Sequence, residues 1–227
     1  MHWNQLVNLT DYTPLELILF GGGCYLWVVV YAIYVRNIFK FQFIEMPLFA
    51  ACGNIGWEFT WGFLAETDMG PLLVWCYQIW FIFDLFIFYN VLKWGWKQVR
   101  TPGLQKHLKL TSSLAAIGWG AAIYAMIRSG LDTPIGANSA FILNLCIAAL
   151  YIVLLLQQTS REEFARFSWA VAWLKMIGTG LNTVFMNMHY TDNYFVRFVA
   201  IVTTVLDCIY IYLFWRKRQQ FRGDDSA

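Results

Sequence analysis

The chain has 227 residues, of which 59% are hydrophobic and only 13% charged, with a formal net charge of +2. Soluble domains run nearer about 45–50% apolar and ~25% charged, so an ordinary water-soluble globule is excluded. The small positive balance gives no reason to expect nucleic acid as a partner.

A bilayer-crossing helix needs ~20 apolar residues. Seven segments meet that requirement: 15–35, 45–65, 71–92, 110–127, 138–157, 168–188 and 195–215. Little chain is left over, so the expected fold is one all-α domain over 1–227, a bundle of seven transmembrane helices. The first segment is too long for a signal-peptide core and no basic region precedes it, so it reads as a retained span. Its Gly21-Gly22-Gly23 run suits close helix packing or a kink. The second span holds Gly53-Asn54-Ile55-Gly56-Trp57-Glu58-Phe59-Thr60-Trp61-Gly62, a carboxylate between two tryptophans. Asp84 falls in the third span, Lys175 in the sixth and Asp207 in the seventh. Pro47 and Pro71 lie at span starts, where proline is tolerated, and Pro134 lies in a connection.

Charge sets the expected topology. The 36–44, 93–109 and 158–167 connections and the tail after Trp215 carry 13 of the 16 Lys and Arg. The other side carries Arg128 and Arg197. The positive-inside rule then places the N-terminus outside and the C-terminus in the cytoplasm. Arg216-Lys217-Arg218 serves as a topology anchor, and Trp3, Trp94, Trp96 and Trp215 fall where interfacial belts are expected.

The five cysteines, at 24, 52, 76, 146 and 208, all lie within predicted spans. They read as small apolar core residues, with neither disulfide nor metal expected. The histidines, at 2, 107 and 189, are scattered, and no metal or phosphate motif is present.

Charges inside a span cost roughly 2.5–3.5 kcal/mol each and mark functional sites by default. At ~1.5 Å per residue, Glu58 lies about 10 Å below the outer end of its helix, Asp207 about 18 Å, and Asp84 and Lys175 about 20 Å. Asp84 and Lys175 therefore share a level and are expected to form a structural ion pair. That leaves Glu58 and Asp207 without a cation. A buried carboxyl with no cation stays protonated and is a general acid. The alternative is that both are neutral hydrogen-bonded contacts between helices. Asn54, one turn before Glu58, is placed to hydrogen-bond its carboxyl. Gly53, Gly56 and Gly62 would keep the helix slim enough to leave a cavity. Tyr210 follows Asp207 by one turn.

Aromatic residues are 19% of the chain. Trp57, Trp61, Tyr77, Trp80, Trp119 and Tyr124 lie within spans, as does Trp173. Taken singly they are core residues. Together they are candidates to line an apolar pocket whose π faces stabilise a cation. A buried acid in such a pocket suits protonation of an epoxide or alkene, followed by shelter of the carbocation from water.

The chain resembles the integral-membrane terpene cyclases of meroterpenoid and indole-terpenoid pathways, the pyripyropene-cyclase-like family. The resemblance rests on Asn54-Ile55-Gly56-Trp57-Glu58-Phe59, on Trp80 with Asp84, on Trp173-Leu174-Lys175 followed by Gly178-Thr179, and on Asp207-Cys208-Ile209-Tyr210. It implies a metal-independent, cofactor-free cyclisation started by protonation. Glu58 and Asp207 match the family's key acids, with Asn54, Asp84, Lys175 and Tyr210 as a supporting network. The implied substrate is a lipophilic aromatic or polyketide core with a prenyl chain, often ending in an epoxide. No aspartate-rich diphosphate motif is present, which agrees. The implied setting is membrane lipid, either a bacterial inner membrane or the endoplasmic reticulum, and oligomeric state stays open. Three rivals share the ingredients. A retinal protein would place its lysine in the last span, where Ile211 stands. A proton-coupled transporter would use the same carboxylates as relays. A lipophilic-ligand-binding protein would need the pocket alone.

Overall fold

The computed structural model describes residues 6–223; His2, the predicted belt residue Trp3 and the acidic pair Asp224-Asp225 lie outside the described residues. The described chain is all-helical, with eight α-helices: α1 (Pro14–Phe41), α2 (Leu48–Phe63), α3 (Pro71–Trp94), α4 (Pro102–Arg128), α5 (Ala137–Leu156), α6 (Arg161–Phe164), α7 (Trp169–His189) and α8 (Tyr194–Gly223). A 3-10 turn, Gly95–Gln98, follows α3. Each of the seven predicted segments is occupied by a helix, but the helix count of seven is corrected to eight. The additional helix, α6, is one turn closed by a reciprocal cap: Ser160 Oγ accepts from the Glu163 backbone and Glu163 returns a bond to Ser160. A single turn carries no hydrophobic period, so sequence patterning does not reveal it.

Five stretches are long and apolar enough to cross a membrane: α1, α3 with its 3-10 turn, α4, α5 and α8. Helix α2 has only 16 residues. Helix α7 is more polar, carrying Lys175, Asn182 and Asn187. Several helices outrun their apolar segments. Helix α4 begins at Pro102, eight residues before its predicted span, because backbone hydrogen bonding continues through polar residues once proline has set the first turn. Helix α1 starts the same way, with Pro14 after a Thr13–Glu16 capping box.

The surface is apolar and the centre is polar. Ile18, Tyr25, Ile82, Leu110, Ile117, Phe198 and many other large hydrophobic side chains are exposed, whereas Glu45, Glu58, Asp84, Lys175 and Asp207 are buried. That inversion is what a bilayer solvent demands. Helices α1, α7, α8, α5, α2 and α3 pack in succession, and α3 also meets α1, closing a ring. Helix α4 lies outside that ring against α2, and most of its side chains are exposed or half-buried.

Glycines make the tight crossings. A Cβ on Gly23 would come within 2.7 Å of the Gly178 carbonyl, and one on Gly56 within 2.8 Å of backbone atoms of both Ala116 and Gly120. A Cβ on Gly53 would meet Leu143 at 2.4 Å. The expectation that Gly53 and Gly56 leave room for a cavity is therefore corrected: they let α4 and α5 approach α2 closely. The cysteines are all free, yet only Cys52 is buried, and Cys208 faces outward rather than into the core.

The connections 42–47, 95–101 and 157–168 gather at one end. There the Gln98 side chain brackets Ile44, bonding its N–H at 3.0 Å and its carbonyl at 2.8 Å. The same end holds Arg100, which donates to the Gln157 carbonyl, and Lys217, which donates to the Leu155 carbonyl at 2.8 Å. The opposite end is acidic. Tyr12 donates to Asp68 at 2.6 Å, and Asp132 Oδ1 accepts from the backbone of Thr133 and Asn138 at the start of α5.

Within the basic end, Glu45 is fully buried in the α1–α2 connection. Its carboxylate accepts from the Ser168 backbone at 2.9 Å, capping α7, and from Asn37 at 3.0 Å. Burial outweighs these bonds and pushes its pKa from 4.5 up to about 8. The folded value is raised, so the folded state holds the proton longer than the unfolded one. The group's contribution to stability is fully present below the unfolded value of 4.5 and is lost as pH rises to about 8. Melting temperature in lipid nanodiscs should fall across that window, and Glu45→Gln should flatten the profile. An unchanged slope in Glu45→Gln would show that another group sets it.

Candidate active site

Inside the helix ring lies a cavity of about 110 Å³. Glu58 and Trp57 from α2, Tyr77 and Trp80 from α3, Trp27 and Tyr31 from α1, and Asn182 from α7 contribute to its wall. Trp57 is held by a 2.8 Å bond from its Nε1 to Ser139 Oγ and by an edge-on contact with Tyr77 at 5.0 Å between ring centres. Tyr77 is held in turn by donation to the Ile135 carbonyl at 3.0 Å. Trp61 stands behind this pair, 6.0 Å from Trp57 and 6.2 Å from Tyr77. Gly136, with φ of +75°, crosses directly over both indoles, and a Cβ there would meet Trp61 at 2.6 Å and Trp57 at 2.8 Å. The loop before α5 thus needs glycine both for its backbone and for its clearance.

Three buried polar atoms on residues of this wall have no hydrogen-bond partner among the described residues: Glu58 Oε2, Asn182 Oδ1 and Trp80 Nε1. Buried polar groups are ordinarily satisfied. All three belong to residues that line this one cavity.

The charges pair differently from the expectation. Lys175 bonds Asp207, not Asp84, in a buried ion pair between α7 and α8. Asp84 is the carboxyl left without a cation, and neither of its oxygens has a hydrogen-bond partner among the described residues. It lies within electrostatic reach of Glu58. Asn54 does not aim Glu58; its amide donates to the Tyr31 hydroxyl at 2.8 Å. Tyr31 sits beside Asp84, so α1 supplies the bridge between α2 and α3.

Around the ion pair is a second polar cluster. Lys175 Nζ lies 5.4 Å from the centre of the Tyr151 ring, whose hydroxyl bonds that of Tyr34. Tyr210 meets Tyr151 edge-on at 5.3 Å, and its own hydroxyl has no partner among the described residues. Asp207, Lys175 and Tyr210 do not line the cavity. Tyr34 lies within electrostatic reach of both Asp84 and Asp207, and its ring is 6.0 Å from that of Tyr31. The two clusters are therefore neighbours joined through α1.

Of the predicted aromatic lining, Trp57, Tyr77 and Trp80 face the cavity and Trp61 supports it. Trp119 and Tyr124 do not line it. Trp119 packs on Phe49 at 6.0 Å, and Tyr124 lies in a separate outer groove between α2 and α4. Both belong to the helix outside the ring. Trp173 is likewise outward, 40% exposed. Sequence reasoning missed Tyr31, Asn182 and Asn144. One signal was available: Phe20, Cys24, Trp27, Tyr31 and Tyr34 recur at three- and four-residue spacing along one face of α1.

Comparison with known proteins agrees with this architecture. The family model described as Pyr4-like transmembrane terpene cyclases matches residues 8–220. The chain is 25% identical over 215 residues to a protein named terpene cyclase spyD from Aspergillus fumigatus, covering 89% of this chain and 88% of that one. It is 25% identical over 214 residues to a Pyr4-family terpene cyclase, mfmH, from Annulohypoxylon moriforme, covering 87% and 84%. A terpene cyclase named macJ from Penicillium terrestre is 27% identical over 173 residues, covering 73% and 64%. No solved structure matches the chain. The match runs through α1 to α8 and takes in both polar clusters, and so the chain belongs to the Pyr4-like transmembrane terpene cyclases, as an integral multi-pass membrane protein.

Proposed function

We propose that the protein cyclises a prenyl chain carried by an aromatic or polyketide core, starting from its terminal epoxide, with Glu58 as the proton donor. The observation that carries this reading is the contrast between the two acids. Glu58 has an unpartnered oxygen on an aromatic-walled cavity, whereas Asp207 is tied to Lys175 away from it. An ionised carboxylate with no cation is too costly in such surroundings, so the proton-bearing acid is the form that suits the cavity.

The step balances without a co-reactant. Glu58 gives its proton to the epoxide oxygen, one of the two C–O bonds breaks, and the oxygen stays on the neighbouring carbon as a hydroxyl. The resulting cation draws the electron pair of the next alkene, forming a C–C bond and passing the positive charge along the chain. Trp57, Tyr77 and Trp80 face that charge with their π electrons. Loss of a proton from the last cation restores an alkene, and return of that proton to the Glu58 carboxylate restores the acid. The product is an isomer of the substrate. Asp207 acts as a positioning acid, holding Lys175 and through it the Tyr151–Tyr34 pair beside Tyr31 and Asp84.

In this reading α1 to α5, α7 and α8 all cross the membrane, and the basic end is cytoplasmic. Helix α2, about 24 Å long at ~1.5 Å per residue, is short for a ~30 Å core, a mismatch that local thinning of the bilayer accommodates. A glycosylation tag inserted at Gly130 should then be modified in microsomes and one at the C-terminus should not; the reverse pattern would invert the topology.

The direct test is an isomerisation assay. Membranes holding the protein would receive prenylated aromatic substrates with and without a terminal epoxide, analysed by LC–MS. A product of unchanged mass, formed only from the epoxides, is the expected result. Product from the plain alkenes would move the protonation site from oxygen to carbon. Proton flux in proteoliposomes with no isomer from any substrate would support a carrier instead.

A further inference from the structure

The cavity is about 110 Å³, smaller than pockets for small organic ligands, which run from ~300 Å³ upward. Beside it, between α1 and α3, lies a larger groove of about 380 Å³. Leu17, Phe20, Gly21, Cys24, Leu72 and Cys76 line that groove, and no charged side chain does. Phe20 and Cys24 line both spaces. Cys24 shares the cavity wall with Glu58, so the acid stands behind the groove floor. Gly21 and Leu72 are exposed, which leaves the groove open to the outside of the bundle. At its end the 6–9 segment crosses over, fixed by bonds from Leu72 N–H to the Leu6 carbonyl at 3.1 Å and from Asn8 N–H to the Met69 carbonyl at 2.9 Å. The outer groove between α2 and α4, about 430 Å³, is as apolar but shares no lining residue with the cavity.

We propose that the α1–α3 groove is the lateral entrance through which the prenyl chain passes from the bilayer to Glu58, with the Phe20 ring as its gate. The inference rests on the cyclase reading and adds the route and the residues that control it. Phe20 packs at a tilt against Phe185, 4.9 Å between ring centres, and forms part of both walls. Rotation of that one side chain joins the two spaces. The groove along which the chain would slide is lined by apolar side chains, and the unpartnered polar atoms are on the cavity wall beyond Phe20.

Gly21 makes the entrance testable, because a Cβ there meets nothing within 4 Å. Gly21→Trp fills the groove without pressing on the core. Ala121→Trp, in the α2–α4 groove, is the matched control. Protein in nanodiscs would be irradiated with a farnesyl phenyl ether bearing a diazirine at the chain end, and the labelled peptides mapped by mass spectrometry. Wild type should label α2 around Glu58 together with α1 and α3 at the groove. Gly21→Trp should lower the α2 label about tenfold at short incubation by slowing access, and lower kcat/KM for the epoxide by a similar factor, about tenfold. Ala121→Trp should leave both within about twofold. Unchanged α2 labelling in Gly21→Trp overturns the entrance and leaves the cavity reading standing. Label confined to the groove in wild type would make it a lipid site only. Label in neither place sinks the cavity reading and the entrance with it.

Discussion

Glu58→Gln is expected to abolish isomer formation while leaving the protein folded. A positioned general acid contributes typically 10²–10⁴-fold, so a loss of at least about a hundredfold in turnover is the predicted effect. The substitution keeps the shape of the side chain and removes its acidic proton. It breaks little, because Glu58 Oε2 holds no bond among the described residues. The melting temperature should therefore stay close to that of wild type. Asp84→Asn is the informative companion. Asp84 lies near Glu58 but off the cavity wall, so activity should fall less and the epoxide should still react. Turnover in Glu58→Gln within a few-fold of wild type would remove Glu58 from the chemistry and shift the search to Asp84.

Lys175→Met is expected to cost more stability than any other single change considered. Lys175 and Asp207 are both at least 97% buried at the side chain. Removing one partner of such a pair leaves an uncompensated charge, at a cost of roughly 3–5 kcal/mol. Loss of folded protein from membranes, or a collapse of the melting transition in detergent, is the expected readout. Lys175→Met/Asp207→Asn should restore folding, since neither charge is then left alone. Activity of the double variant should remain at least about tenfold below wild type, because the Tyr151–Tyr34–Tyr31 alignment behind Asp84 loses its anchor. Full recovery of activity along with folding would reduce Asp207 and Lys175 to scaffold. Asp207→Asn alone does not separate these roles, because it strands the lysine.

Much of this arrangement is legible along the chain. Composition alone demands a bilayer, and each of the seven apolar stretches became a helix. The four intramembrane charges stand out by their cost, and Glu58 stands out by its tryptophans. The missed α6 turn and the early start of α4 show where patterning stops. Capping and backbone hydrogen bonds continue a helix through residues that no hydropathy pattern marks.

The error over Asp84 and Lys175 has a different origin. Rise per residue fixes how deep a side chain lies, so matching depths put these two at one level. It says nothing of which helices are neighbours. Helix α7 packs on α1 and α8, so Lys175 finds Asp207, and α3 lies on the other side of α1. The same limit explains Trp119 and Tyr124, which sit at plausible depths on a helix that proved to be outside the ring. It explains Gly53 and Gly56 as well, since a missing side chain opens a cavity or admits a neighbour depending on what stands opposite.

The solvent, the helices, the basic end and the few residues costly enough to require a role are all legible along the chain. Those are properties of transfer free energy and local backbone bonding, which act residue by residue. Which acid is paired and which is left facing a cavity, which aromatics form its wall, and where a groove leads into it follow from how the helices pack. Those depend on the order of helices around the ring and on the rotation of each about its axis. Both are set by many weak contacts summed over whole helix faces, and no single stretch of sequence carries that sum.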